Sequence, residues 1–268
     1  MTGKSNAYAA VTAAELRRAI RAGEVTGPTA GMAAGYAQTN LVILPERDAA
    51  DFAEFCRRNA RPCPLLAQTS VGDPCPHDVA PGADLRTDVP RYRVFRHGQP
   101  EREELTDIRD LWRDDFVGFL LGCSFSFEHD LETAGLAVRH LTLGRNVPMF
   151  RTNRSCAPAG KFAGPLVVSM RPYLPEQVEE VARITARYPT MHGPPIHVGD
   201  PAELGIVDLA RPDFGDAVPL EPGEVPVFWA CGVTPQLALA AARPEICITH
   251  SPGCMFVLDR TDASYRAL

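Results

Sequence analysis

The stretch Val225-Pro226-Val227-Phe228-Trp229-Ala230-Cys231-Gly232-Val233-Thr234-Pro235-Gln236 reads as an apolar strand that ends in a thiol and a glycine. A turn carrying a hydroxyl, a proline and an amide follows at once. A second apolar strand then ends in Thr249-His250-Ser251-Pro252-Gly253-Cys254. A helix over 235–242 separates the two. Strand, helix and strand in this order predict a crossover within one open α/β sheet, with the strands as neighbours. Such sheets place ligands outside the carboxyl ends of their strands. This reading sets His250 beside Cys231 and makes that edge the expected site.

Outward from this point, 161–207 reads as a block of its own. Pro165 to Met170 is a strand, and Pro175 with Glu176, Glu179 and Glu180 opens a helix that ends near Tyr188. Ile196 to Gly199 is a second strand. Proline and glycine bound the block on both sides. The expected organisation is a main α/β domain of residues 1–160 plus 208–268, with a smaller α+β domain inserted at 161–207. In the main domain, Thr12 with Glu15 has capping-box spacing for a helix from Ala13 to Ala22. Asn40 to Leu44 is a strand. A helix from Asp48 to Arg58 sets Phe52, Phe55 and Cys56 on one face. Pro62 to Leu66 is a short strand, Tyr92 and Val94 lead into a hairpin at His97-Gly98, and Ile108 to Asp114 is helical. Phe116 to Leu121 is strongly apolar and leads through Cys123 into a helix from Phe125 to Ala134.

The 268 residues carry a net charge of −6 and are 45% hydrophobic, enough for a sizeable core. That charge argues against nucleic acid or an anionic membrane as the main partner. No run of about 18 apolar residues suggests a membrane span. The N-terminal segment lacks the apolar core of a secretory signal. The eight cysteines form no CxxC pair, so neither a zinc ribbon nor a disulfide framework is expected. A cytoplasmic protein with reduced thiols, no cofactor and a small-molecule partner is the expectation. Homo-oligomer formation is left open.

Several segments carry groups suited to chemistry. Between Gly144 and Asn153, Arg145, Arg151, Asn146 and Asn153 gather on a short segment with no carboxylate nearby in sequence. Arg151 and Asn153 share a face if the chain is extended, and arginine is the natural fork for a carboxylate. Arg91 and Arg93 share a face in the same way, with a self-neutralising edge strand as the alternative. Cys123 and Cys231 each sit where a strand turns into a helix. A helix N-terminus offers amide N–H groups to a thiolate or an anion, so the two thiols could form an acid–base pair or simply fill space. His192, His197 and Asp200 flank a Pro-Pro turn. Their spacing is wrong for a helical zinc pair, which leaves loop hydrogen bonding as the commoner role.

Taken together, Gly35 to Asn40, Asp84 to Arg93, Gly122-Cys123-Ser124-Phe125-Ser126-Phe127-Glu128, Arg145 to Asn153, Gly164 to Pro172, His192 to Pro201 and Val225 to Gln236 resemble the D-glutamate cyclase family and its bacterial hydro-lyases. The resemblance spans nearly the whole chain. It implies a three-layer α/β domain paired with a smaller two-layer α+β domain. The implied activity is loss of water from a small amino or carboxylic acid, with D-glutamate closing to 5-oxo-D-proline as the named reaction. For that chemistry Arg145 and Arg151 are assigned to the substrate carboxylate, with Asn153, Arg91 and Arg93 in support. Cys231 or His250, with Cys123, supplies the acid or base. Thr234, Asn40 and Tyr36 orient the substrate. A non-catalytic acid sensor and a metal-dependent lyase or hydrolase are the alternatives. The chain departs from the family pattern at Ala34, where proline is common, and at Cys254, where a histidine is common.

Overall fold

The computed structural model describes residues 6–101 and 104–267. In chain order the elements are α1 (Ala13–Arg21), β1 (Tyr36–Pro45), α2 (Glu46–Arg58), β2 (Leu65–Gln68), β3 (Tyr92–Arg96), β4 (Gln99–Pro100), β5 (Phe116–Gly122), α3 (Phe125–Thr133), α4 (Arg139–Thr142), β6 (Met149–Ser155), β7 (Pro165–Tyr173), α5 (Val178–Ala186), β8 (His197–Val198), β9 (Val225–Ala230), α6 (Val233–Ala242), β10 (Ile246–His250) and β11 (Phe256–Thr261). The α/β class holds, with the strands in two sheets. The larger runs β2-β5-β1-β10-β3-β4, with β11 also on β1. The smaller runs β6-β7-β9-β8.

The centre of the larger sheet follows from alternation. In β1, Leu41 and Ile43 enter one apolar cluster while Val42 and Leu44 enter another. In β5, Phe116 and Leu120 join the first, and Val117, Phe119 and Leu121 join the second. A strand apolar on both faces must be covered on both. α2 covers one face through Phe52 and Phe55, and α6 joins it there through Ala238 and Leu239. The other face packs against Phe127 and Leu131 of α3, Val181 and Ile184 of α5, and Val225-side residues of the smaller sheet such as Val227 and Trp229. The smaller sheet buries Val168, Met170 and Phe228 on its far side, against Leu204 and Ile206.

Four expectations are overturned. Strands β9 and β10 are not neighbours. β9 pairs with β7 and β8 in the smaller sheet, and β10 pairs with β1 and β3 in the larger. Helix α6 therefore bridges two sheets and is not a crossover within one. Among the described residues every strand pairing is antiparallel. Neighbouring strands then point opposite ways, and no common carboxyl edge exists to hold a site. The expected helix over Ile108 to Asp114 is only a 3-10 turn, Arg109–Leu111. The short strand expected over 62–66 lies further on, at Leu65–Gln68. The capping box at Thr12 and Glu15 forms as its spacing requires.

Candidate active site

Strand β5 ends at Gly122, and Cys123 and Ser124 turn the chain into α3. Strand β9 ends at Ala230, and Cys231 and Gly232 turn it into α6. Asn40, in the middle of β1, lies between the two turns. Its amide Nδ2 donates to the Gly122 carbonyl at 3.2 Å. A Cβ on Gly232 would stand 2.8 Å from the same nitrogen, so a side chain there would push the Asn40 amide aside. At Gly122 a Cβ would run into the Thr190 backbone carbonyl, so only glycine fits.

The backbone N–H groups at the helix starts, Phe125 for Cys123 and Val233 for Cys231, favour the thiolates. Burial dominates even so. It pushes Cys123 up to about 12, with the charges of Glu128 and Cys231 adding to the rise while the Phe125 amide and Arg171 oppose it. Burial pushes Cys231 up to about 11 against the pull of Val233 N–H and Arg171. Both thiols are thus protonated at neutral pH. Each feels Arg171, and Cys123 feels Cys231, so the two turns form one electrostatic unit.

Beneath them lies an ionic centre. Arg171 of β7 is 1% exposed. It donates from Nη1 to Ser169 Oγ at 3.1 Å and from Nη2 to Ser124 Oγ at 3.2 Å and to the Glu128 carboxylate. Its guanidinium carbon is 5.4 Å from the ring centre of Phe127 and 5.2 Å from that of Trp229. Its Nε has no partner. His140 Nε2 is 3.4 Å from the same Glu128 oxygen. Burial alone would raise the Glu128 carboxyl. The Arg171 charge and the His140 hydrogen bond outweigh it and hold the group below the ordinary range. Glu128 stands one helical turn after Ser124, so α3 presents both to Arg171.

The remaining expected residues disperse. His250 is on the Ile246 and Ile248 face of β10, and Leu41 N–H donates to its Nδ1 at 3.2 Å. With β9 in the other sheet, the strand adjacency that placed His250 beside Cys231 does not exist. Thr234 is buried and tied to β7, accepting from Val167 N–H at 3.0 Å. Tyr36 packs at the start of β1 against the α1 cluster. Arg145 donates to the Ala217 carbonyl at 2.6 Å. Arg151 lies 3.8 Å from Asp213 and stacks on Phe214, and Asn153 is exposed near Gly205. The carboxylate missing around Arg151 in sequence arrives from the 208–224 connector.

Arg91 and Arg93 differ from those two arginines in placement. Arg93 pairs in register with Thr249, and Thr249 with Val42. Alternation then puts Arg93 and Asn40 on the same face of the larger sheet, the face that α6 covers. Arg93 is partly exposed, 3.7 Å from Glu104. Arg91 is 3.8 Å from Glu104 and donates to the Thr26 carbonyl at 2.7 Å. On that face a small cleft of about 30 Å³ opens between α6 and the β3–β10 pair, lined by Phe95, Gly98, Gln236, Leu239, Cys247 and Thr249 among others. It offers no charge to an acid, so the better-equipped region is the polar one around Asn40 and the thiols.

His192 Nδ1 donates to the Arg61 carbonyl at 2.8 Å and His197 Nε2 to the Asp200 carbonyl at 2.8 Å. Among the described residues no group of three or more His, Cys, Asp or Glu side chains is placed to hold a metal ion. Cys254 is packed in the core with Phe256, and burial pushes its thiol up to about 11.

Residues 117–259 match the family model described as D-glutamate cyclase. A protein of Rubrobacter xylanophilus named "Putative hydro-lyase" is 64% identical over 253 residues, covering 94% of this chain and 97% of that one. Proteins of the same printed name from Bacillus licheniformis and Bacillus subtilis are 56% and 54% identical over 254 residues each, covering 95% of this chain and 97% and 98% of theirs. The chain belongs to the D-glutamate cyclase family. The matched segment of this family member contains Cys123, Glu128, Arg171 and Cys231. Arg171, Ser169 and His140 were not singled out in the sequence. The available signal was a charged residue alternating with Val168 and Met170 in an otherwise apolar strand, where an unpaired charge is costly and a buried partner is therefore required.

Two buried histidines give a first testable expectation. Burial lowers His192 and His250 to about 4, and both are neutral in the native protein. Once unfolded, each recovers an ordinary value near 6.5. As pH falls from about 6.5 to about 4, the unfolded chain binds protons that the native one refuses, so stability drops by roughly 3 kcal/mol per histidine. Urea unfolding at pH 7 and pH 4.5 should show a smaller acid loss for His250→Gln than for the unsubstituted chain.

Proposed function

We propose that this protein is a hydro-lyase for a small amino or carboxylic acid, with ring closure of D-glutamate to 5-oxo-D-proline and water as its reaction. The observation that carries this reading is the convergence of two protonated thiols, at two helix N-termini, over the buried Arg171. In ring closure the amine nitrogen bonds to the γ-carboxyl carbon and a C–O bond breaks. Two protons leave the ammonium and depart with the oxygen as water. A thiol that gives a proton to the departing oxygen and then takes one from the nitrogen completes that transfer. The transient thiolate is favoured by the helix amides and Arg171, which are already in place before it forms. Two thiols allow donation and uptake from different sides of the substrate. Asn40 is placed to orient the acid between the turns, and Arg93, with Arg91, offers a partly exposed cation on that face for a carboxylate.

This reading moves the carboxylate anchor from Arg145 and Arg151, which meet the 208–224 connector at Ala217 and Asp213, to Arg93, which shares the Asn40 face and lies 3.7 Å from Glu104. It also leaves His250 out of the chemistry, because its ring meets the Leu41 backbone. The test is incubation of the purified protein with D-glutamate, L-glutamate and related dicarboxylic amino acids, with chiral analysis of products. Formation of 5-oxo-D-proline, weakened mainly in KM by Arg93→Gln, is the expected result. Thermal stabilisation by these acids without any product would replace the lyase with an acid-binding protein.

A further inference from the structure

The surface loop Asp73-Pro74-Cys75-Pro76-His77 plays no part in the chemistry above, yet it assembles a thiol, an imidazole and a carboxylate in sequence-local order. Cys75 Sγ is 3.5 Å from His77 Nδ1, and His77 Nε2 is 3.0 Å from Asp73 Oδ2. The other oxygen of Asp73 accepts the Cys75 backbone N–H at 2.8 Å, so one carboxylate fixes both the thiol's backbone and the imidazole. Prolines on either side of Cys75 restrict the backbone further. The loop is pinned to the body by Gly72 N–H on the Phe116 carbonyl and Leu85 N–H on the Pro74 carbonyl. A nucleophile within reach of a base, with that base held by a third group, is the arrangement that activates thiols.

Accessibility separates this thiol from six of the eight cysteines, which are buried; Cys75 and Cys123 are half-buried. Of these two, Cys75 has an imidazole beside its sulfur. The His77 side chain is 67% exposed, so a reagent can reach the pair from solvent. The imidazole spends one nitrogen on the thiol and the other on the carboxylate. The three donors therefore do not converge on one point, and the geometry suits proton relay rather than metal binding. An open surface loop also lacks the walls that would enclose a large substrate.

We propose that Cys75 is a nucleophilic modification site for low-molecular-weight disulfides, with His77 as its base and Asp73 as the group that orients the imidazole. His77 Nδ1 takes the thiol proton as the Cys75 sulfur attacks one sulfur of the disulfide. The Cys75 sulfur–sulfur bond forms and the reagent's own bond breaks. The departing thiolate takes the proton back from His77. In sum, one protein thiol and one disulfide become a mixed disulfide and a free thiol: Cys75 is oxidised and the leaving half of the reagent is reduced.

The test exposes the full-length folded protein to oxidised glutathione at pH 7 and follows adducts by peptide mass spectrometry. The first adduct is expected on Cys75. His77→Gln should slow it about tenfold, less than the roughly 10²- to 10⁴-fold typical of an enclosed general base because the site is exposed, with circular dichroism unchanged. Cys75→Ser should abolish that first adduct while the protein still folds. A first adduct on Cys123 or any other cysteine, or a native rate in His77→Gln, would overturn the proposal.

Discussion

Replacing Arg171 by methionine is expected to lower the free energy of unfolding by about 3–5 kcal/mol, the cost of breaking a buried ion pair from one side. Glu128 is 4% exposed and would be left without its cation. Ser124 and Ser169 would lose their donor, and the guanidinium's contacts with the Phe127 and Trp229 rings would be lost with it. Against a total stability of about 5–15 kcal/mol for a typical domain, such a loss is severe. The companion variant is Arg171→Met with Glu128→Leu. Removing both charges removes the stranded carboxylate, and well-packed apolar replacements of buried pairs are commonly neutral or better. The pair of variants separates structure from chemistry. Urea unfolding should show much of the stability returning in the double variant, whereas product formation should stay lost because the thiols no longer face a cation. Recovery of turnover along with stability would show that Arg171 serves the fold alone.

Alanine at Cys123 or at Cys231 is expected to reduce turnover of D-glutamate by 10²- to 10⁴-fold, the usual range for a positioned acid or base. The two thiols share Asn40's turns and the field of Arg171, so their losses should not add. The double variant should be about as poor as the worse single one. Serine should not rescue either position, because a buried hydroxyl gives up its proton less readily than a thiol. Cys254→Ala serves as the contrast. That thiol is packed in the core, so its removal should reduce stability modestly and leave kcat nearly unchanged. Steady-state kinetics on the four proteins decides the matter. Singles at Cys123 and Cys231 that both keep more than a tenth of native kcat would remove the thiols from the mechanism.

The pairing of chain with site can be traced to particular residues. Thr12 and Glu15 start α1 as their spacing requires, and the Phe52, Phe55 and Cys56 stripe turns α2 inward. The apolar runs that became β1, β5, β9 and β10 were legible, as were the two thiol turns and their helices. These features depend on periods of two or 3.6 residues and on caps a few residues long, so neighbouring side chains determine them. The family, too, follows from sequence, through motifs spread over nearly the whole chain.

What required the tertiary structure was every relation between distant segments. Strands β9 and β10 look alike as apolar runs, and only their backbone ladders assign them to different sheets, which removed His250 from beside Cys231. Arg151 looked free until the connector brought Asp213 to it. Arg171 looked like one charge in an apolar strand until α3 supplied Glu128 and Ser124, from more than forty residues away in the chain. The string from Phe228 to Gln236 by itself marked a thiol at the end of a strand and the start of a helix. Its partner thiol, the asparagine that lies between the two turns and the cation beneath them come from other strands, because hydrogen-bond ladders and charge burial are settled by packing between segments, not within them.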